Sequence, residues 1–371
     1  MIPTTGLRYA IALSLMKGMN RQAAERLLPA DGDMAALFDA SPESWREKVG
    51  TVAPLFDLES RQRALAAADT EIRFIEQKNI TPLFFTDPDY PALLHECPDA
   101  PLMLYFKGEG NPNPHRVLSI VGTRKATRYG RDFCTDLLAD LSRAVPGLTI
   151  VSGMAYGIDI CAHREALKNG LPTIGVLAHG LHTLYPSAHR ATAQEAEHHG
   201  GLLTEYTSQQ PILKVNFVAR NRIVAGMSEA TLVVESAEKG GALITARLAR
   251  DYNRDVFALP GNIGQESSAG CNRLIHDNIA ALVTSAADIV EALGWETSVS
   301  PKECRQQPLF PDISEKEALL LRILQDQGEM QINPLTVTAG LPAGEVLSTL
   351  LEMEFKGLVR TLPGGIFRAV K

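Results

Sequence analysis

The sequence predicts an α/β protein built on an extended Rossmann-like, doubly wound parallel sheet, flanked by a small helical N-terminal domain and a winged-helix C-terminal domain. Three observations predict it. Between residues 117 and 259, short apolar runs alternate with helical segments, which is the pattern of parallel βαβ units. Up to about residue 75, apolar stretches recur at helical spacing with short breaks. After a proline-bearing linker, the last segment reads as helices followed by a strand pair.

The N-terminal part, 1–80, is carried by the apolar stretches Tyr9 to Met16, Ala23 to Leu28 and Met34 to Phe38. Within it Leu15-Met16-Lys17-Gly18-Met19-Asn20, followed by Arg21 to Leu28, resembles a helix-hairpin-helix, although Asn20 stands where a glycine is expected. Residues 1–112 hold 11 basic and 16 acidic side chains, and that balance favours a compact helical cap over a duplex-DNA contact. From Pro82 to Pro101 the prolines read as an extended connector leading to the strand-like Leu102 to Phe106.

The central part, 81–295, holds six candidate strands: Val117–Val121, Thr149–Val151, Thr173–Leu177, Leu202–Glu205, Thr231–Val234 and Val256–Leu259. Residues 296–313, with Pro301, Pro308 and Pro311, read as a linker. In 314–371, Glu315 to Gln325 is amphipathic, Pro342 to Phe355 is a second helix, and Leu358 to Ala369 is a strand pair around Pro363-Gly364-Gly365. A winged helix that reads DNA needs a basic second helix. This one sets Glu345, Glu352 and Glu354 against Lys356, so protein contact is the expectation for the tail.

Composition narrows the function. The 371 residues carry a net charge of −7, which argues against coating a polyanion by bulk electrostatics. Only 113–290, with 17 basic and 16 acidic side chains, can host a basic site. No apolar run reaches the length of a membrane span and no signal peptide is evident, so a cytoplasmic location is expected. Cys97, Cys134, Cys161, Cys271 and Cys304 are scattered without metal or redox spacing, and are expected to be reduced and structural.

In an open parallel sheet, ligands bind beyond the carboxyl ends of the strands, where helix N-termini aim free N–H groups. Three glycine-bearing turns should meet there: Gly122-Thr123-Arg124, Ser152-Gly153-Met154-Ala155-Tyr156-Gly157, and Glu235-Ser236-Ala237-Glu238-Lys239-Gly240-Gly241. Glycine lets backbone approach an anion, and Arg124 and Lys239 supply charge, so the turns read as a phosphate site. The fingerprint G-x-G-x-x-G is absent after the first strand, as is the P-loop, which disfavours a dinucleotide or nucleotide triphosphate. Lys214-Val215-Asn216-Phe217-Val218-Ala219-Arg220-Asn221-Arg222 is a basic stretch holding one aromatic. Single-strand binding needs cations for the backbone and π-faces for the bases. On spacing alone, Phe217 could equally be core and the arginines a solvated helix face. Asp159 and His163 stand four apart and could pair, yet nothing completes a metal or acid–base site around them. An orienting hydrogen bond from His163 is expected instead, and Glu195, Glu197 and His198 are expected to decorate an exposed helix.

At these residues the sequence resembles the DNA-processing protein A family, also called DprA or Smf. The likeness rests on Ser119-Ile120-Val121-Gly122-Thr123-Arg124, on Ser152-Gly153-Met154-Ala155-Tyr156-Gly157-Ile158-Asp159 with Ala162-His163, and on Phe217 with Arg220-Asn221-Arg222-Ile223-Val224-Ala225-Gly226. It continues through Lys239-Gly240-Gly241-Ala242-Leu243-Ile244-Thr245-Ala246, Leu259-Pro260-Gly261 and Gly270-Cys271-Asn272-Arg273-Leu274-Ile275. The resemblance implies a homodimer that binds single-stranded DNA without sequence preference, protects incoming strands in natural transformation and helps load the RecA recombinase. It implies that Arg124 grips a phosphate, Lys214 and Phe217 hold backbone and base, Arg220, Asn221 and Arg222 shape the pocket, and Lys239 with Gly240 adds a second anion contact. Gly122, Thr123, Ser152 and Gly153 belong to the same turns. No catalytic residue, cofactor or metal is implied. Gly241-Ala242 departs from the Gly-Ser pair expected there.

The alternative is a nucleotide-binding Rossmann enzyme or sensor of the phosphoribohydrolase kind. Those enzymes carry P-G-G-x-G-T-x-x-E, whereas Lys239-Gly240-Gly241-Ala242-Leu243-Ile244-Thr245 is not followed closely by a glutamate.

Overall fold

The computed structural model describes residues 4–29, 33–49, 57–296 and 314–370, which fall into two compact units divided at Val299 and Ser300. The expected linker 296–313 lies, apart from its first residue, outside the described residues, as does Cys304. No described helix is long and apolar enough to cross a membrane.

The first unit begins with five helices: α1 (Thr4–Leu15), α2 (Arg21–Leu27), α3 (Met34–Asp39), α4 (Pro42–Val49) and α5 (Leu58–Lys78). Asn20 is extended rather than left-handed, and its side chain accepts from the Ala23 N–H to cap α2. A glycine would forfeit that bond. An ion pair of Arg8 with Asp69 at 2.6 Å ties α1 to α5. The core beneath these helices, with Ile11, Leu27, Phe38 and Trp45, runs without a break into the sheet residues Phe84, Tyr105, Val151 and Ile174. A buried carboxylate on α5, Glu71, accepts from both the backbone N–H and the hydroxyl of Ser208, at 2.9 and 2.6 Å.

The segment read as an extended connector opens instead with strand β1 (Thr81–Phe84), which pairs antiparallel with β2 (Met103–Lys107). Pro82 is tolerated because β1 is the terminal strand, where one side of the ladder asks for no donor. Helix α6 (Ala92–His95) lies between them. The remaining elements alternate: β3 (Val117–Gly122), α7 (Arg128–Ala144), β4 (Thr149–Ser152), α8 (Ile158–Lys168), β5 (Thr173–Val176), α9 (Arg190–His198), β6 (Gly200–Thr204), α10 (Lys214–Ala219), α11 (Asn221–Gly226), β7 (Ala230–Val234), α12 (Ala242–Asp251), β8 (Asp255–Ala258), α13 (Glu266–His276), β9 (Ala281–Leu282) and α14 (Ala286–Ala292).

All six expected strands form, β3 to β8, and they are parallel to one another. The sheet has nine strands rather than six, in the order β1-β2-β6-β5-β4-β3-β7-β8-β9. Successive residues of β3 go to opposite faces. Leu118 and Ile120 pack with Leu138 of α7 and Ile158 of α8, while Val117 and Val121 join the core that holds Leu243 and Ala246 of α12. Burial on both faces is why these strands read as unbroken apolar runs. From β3 the chain winds outward through β4, β5 and β6, then returns to place β7 on the other side of β3. The strand order therefore reverses between β3 and β7, and a ligand crevice opens at their carboxyl ends.

The second unit contains α15 (Glu315–Gln327), β10 (Met330–Gln331), α16 (Ile332–Ala339), α17 (Ala343–Phe355), β11 (Val359–Leu362) and β12 (Ile366–Ala369), with strand order β10-β12-β11. Three helices followed by a hairpin make a winged helix around Leu320, Leu335, Leu350 and Phe367. Ser314 and Glu317 form a reciprocal capping box on α15. The helix expected as the second is the third, since α16 precedes it.

Candidate nucleic-acid interface

A cavity of about 300 Å³ sits at the point where the strand order reverses. Its walls come from the end of β3, the loop after β4 and the start of α8, the turn after β7, the α10–α11 junction and the start of α12. Of the sequence-predicted residues, Gly122, Thr123, Arg124, Phe217, Arg220, Asn221 and Gly240 line it. Lys214 and Lys239 are not among the lining residues; Lys214 lies three residues before Phe217 on α10, and Lys239 immediately precedes Gly240. Ser236, Ala237 and Gly241 of the third expected turn line it as well, whereas Asp159 and Thr245 were not expected as wall residues; their position on the first turn of the helix after a strand end was the available signal.

The turn after β3 must run very close to its neighbours. At Gly122 a Cβ would overlap the Val234 carbonyl oxygen and lie 2.6 Å from the Ile158 side chain, so only glycine lets β3, β7 and α8 converge. At Gly157, φ is +81° and a Cβ would overlap the Thr123 carbonyl oxygen. The Ile158 N–H donates to that same oxygen at 3.1 Å. The β4–α8 loop is thereby fastened to the turn that carries Arg124.

The cations divide into two groups. Arg124, Lys214 and Lys239 are exposed and make no ion pair with any described residue. Arg222 is committed: its guanidinium donates to both oxygens of Glu205, at 3.0 and 2.6 Å. Arg220 is buried, and its Nη1 donates to the carbonyl oxygens of Gly153, at 2.6 Å, and Val176. Burial pushes the Arg220 guanidinium below its ordinary range, opposed by the nearby Asp159 carboxylate. Asp159 is buried too, and burial raises its pKa while Arg220 pulls it down. An Asp159 oxygen accepts from the Gly153 N–H at 3.1 Å. Arg220 and Asp159 thus brace the Gly153 turn from below. Ser152 does not face the cavity, because its buried hydroxyl donates to the Ile120 carbonyl at 2.6 Å.

Asp159 and His163 form no hydrogen bond with each other. His163 Nδ1 bonds the Thr173 hydroxyl at 2.7 Å, the orienting role expected of it, and burial lowers its pKa to about 3. Glu197 pairs with Lys107 at 2.7 Å, and His198 bonds Glu109 at 2.9 Å on the exposed side of α9. Among the described residues no group of three or more metal-ligating side chains is placed to hold a metal ion.

The helix that follows the first strand, where a Rossmann fold would seat a pyrophosphate, is already occupied. Glu235, left-handed at φ +58°, turns its carboxylate onto the N-terminus of α7. There it accepts from the Thr127 N–H at 2.8 Å and from the Thr127 hydroxyl. A protein carboxylate satisfies the helix dipole at that end, so the place is closed to a phosphate. The N-terminus of α12 has no side-chain cap, and its Gly240-Gly241-Ala242 backbone faces the cavity. The start of α12, rather than that of α7, therefore leaves its N-terminal end without a side-chain partner beside the cavity.

Residues 81–294 match the family model described as DNA recombination-mediator protein A, and residues 305–365 match the DprA winged helix domain. A curated relative, Protein Smf of Escherichia coli K12, is 36% identical over 308 residues, covering 81% of this chain and 80% of its own length. Among solved structures, DNA processing protein A of Streptococcus pneumoniae superposes with a TM-score of 0.63 at 29% identity, over 78% of this chain and 98% of that one. DNA processing protein A of Helicobacter pylori, reported for its single-stranded DNA binding mode, superposes with a TM-score of 0.52 at 29% identity, over 58% of this chain and 95% of that one.

Proposed function

This chain belongs to the DNA recombination-mediator protein A family, and from that premise we propose that the cavity between β3 and β7 grips single-stranded DNA without reading its sequence. The observation that carries the reading is the division of the cations. Arg222 is paired with Glu205 and Arg220 is tied through Nη1 to backbone carbonyls, while Arg124 stands unpaired on a cavity that also presents Phe217 and an uncapped helix, with the unpaired Lys214 and Lys239 close in sequence to its lining residues. Cations and N–H groups take phosphates, and an aromatic face takes any base, so neither contact distinguishes one base from another. Glu235 closes the ordinary pyrophosphate position, which disfavours a bound mononucleotide or dinucleotide there.

In this role the protein catalyses no reaction and needs no cofactor. Acting in the cytoplasm as a homodimer, it covers strands taken up in natural transformation and helps load RecA recombinase onto them. The winged-helix unit serves protein contact: the outward side of α17 presents Leu347, Leu351 and Phe355 rather than basic groups. Fluorescence anisotropy with a labelled single strand tests the site. Arg124→Ala should weaken binding for every sequence alike and reduce the slope of log affinity against log salt by about one. Unchanged affinity and slope would remove Arg124 from the interface.

A further inference from the structure

Two exposed tyrosines stand beside this cavity, and each is backed by a buried histidine of the β5–α9 loop. Tyr185 is 56% exposed, and its ring meets Phe217 edge to face, with centroids 5.7 Å apart and planes at 76°. Its N–H donates to Nε2 of His179 at 3.0 Å. His179 is buried, and burial lowers its pKa, which keeps the ring neutral and Nε2 able to accept. Tyr156 is 48% exposed and leans edge to face on His189, with centroids 4.8 Å apart. His189 is buried and bonds the Met154 carbonyl at 2.8 Å. Tyr156 also directly precedes Gly157, whose close approach to Thr123 and Arg124 fixes the loop against the phosphate-facing turn.

A solvent-facing tyrosine with no task at the surface needs no such anchoring, yet the Tyr185 backbone is held by buried His179 and its ring meets Phe217, while the Tyr156 ring rests on buried His189. We propose that Tyr185 and Tyr156 are stacking platforms for nucleobases, extending the site on either side of the contact made by Phe217, so that it holds a short run of unpaired nucleotides rather than one. The inference rests on the single-strand reading of the cavity. The rings offer amphipathic π-faces held in place before binding, which is what sequence-tolerant stacking needs. Arg124 supplies the phosphate contact beside Tyr156, and Phe217 supplies the base contact beside Tyr185.

The test uses the full chain and a fluorescent oligothymidylate of about ten nucleotides, a typical single-strand site size. It compares Tyr156→Leu, Tyr185→Leu, the two Tyr→Phe variants and Arg124→Ala. Each leucine variant should lose about tenfold in affinity, the effect of one stacked base, while each phenylalanine variant binds as the parent does. An oligomer of the same length lacking its bases should bind the parent more weakly, and should be nearly indifferent to the leucine substitutions. Melting temperatures of all variants should match the parent, since both rings are half exposed. If the leucine variants bind like the parent while Arg124→Ala is weakened, the tyrosine platforms are wrong and the single-strand site stands. If Arg124→Ala also binds like the parent, or the parent does not bind the oligomer, the single-strand reading falls and the platforms with it.

Discussion

Replacing Arg220 by methionine should unfold the protein more readily than a surface substitution, because its Nη1 is a strut between two backbone carbonyls. Its Nη1 satisfies two backbone carbonyls, those of Gly153 and Val176, at a position 4% exposed. Hydrogen bonds from a charged donor contribute about 1.5–3 kcal/mol each, so losing the pair costs about 3–6 kcal/mol. That is a large share of the roughly 5–15 kcal/mol that holds a folded domain. A second effect follows through Asp159. Burial already holds its pKa above that of the unfolded chain, and Arg220 opposes the rise. Without Arg220 the folded-state pKa climbs further, so the protonated carboxyl is favoured more strongly in the native state. Stability linked to Asp159 is present below the unfolded pKa, near 3.8, and is lost as pH rises through the folded value. Arg220→Met should therefore show its smallest deficit at acid pH and its full deficit near neutrality. Urea unfolding followed by circular dichroism at several pH values measures both. A variant that unfolds like the parent yet has lost DNA affinity would refute the reasoning and make Arg220 a direct DNA contact.

Gly157→Ala should destabilise by about 1–3 kcal/mol, since it combines φ +81° with overlap of the Thr123 carbonyl, and thermal unfolding will register it. His163, held neutral with a pKa near 3, contributes stability that is full above about pH 6.5 and is lost as pH falls toward 3. His163→Gln should flatten that part of the stability profile, and an unchanged slope would assign the acid sensitivity to other groups. Deleting residues 314–371 should leave single-strand affinity nearly intact if the winged helix contacts protein, and a large loss in an anisotropy titration would place DNA on α17.

The parallel strands were legible because burial on both faces removes polar residues from them, and the strand ends then pointed to the cavity from the sequence alone. What was hidden had local causes. Pro82 masked β1, since the terminal position that makes a proline harmless is a tertiary property. Pro334 masked α16, although in a first helical turn its missing N–H has no intrahelical partner to lose. Asn20 looked like a defective glycine until its capping bond appeared. Among the site residues, sequence located the basic stretch 214–222 but could not divide it. Whether an arginine is free like Arg124 or spent like Arg222 depends on Glu205, which is distant along the chain and adjacent only after β6 and α11 have packed. Glu235 was visible as part of a turn. Its hold on Thr127, the N-cap of α7, requires the pairing of β3 with β7.

The most direct measurement of the central claim is a competition titration of the full chain bound to a labelled single-stranded oligonucleotide, with unlabelled single strand, duplex of equal length and a mononucleotide as competitors. Displacement by unlabelled single strand, with duplex and mononucleotide ineffective at comparable concentration, is the result predicted by a cavity lined by the unpaired Arg124 and by Phe217, with Glu235 set on the N-terminus of α7. Displacement by the mononucleotide alone would contradict it and make the cavity a nucleotide site.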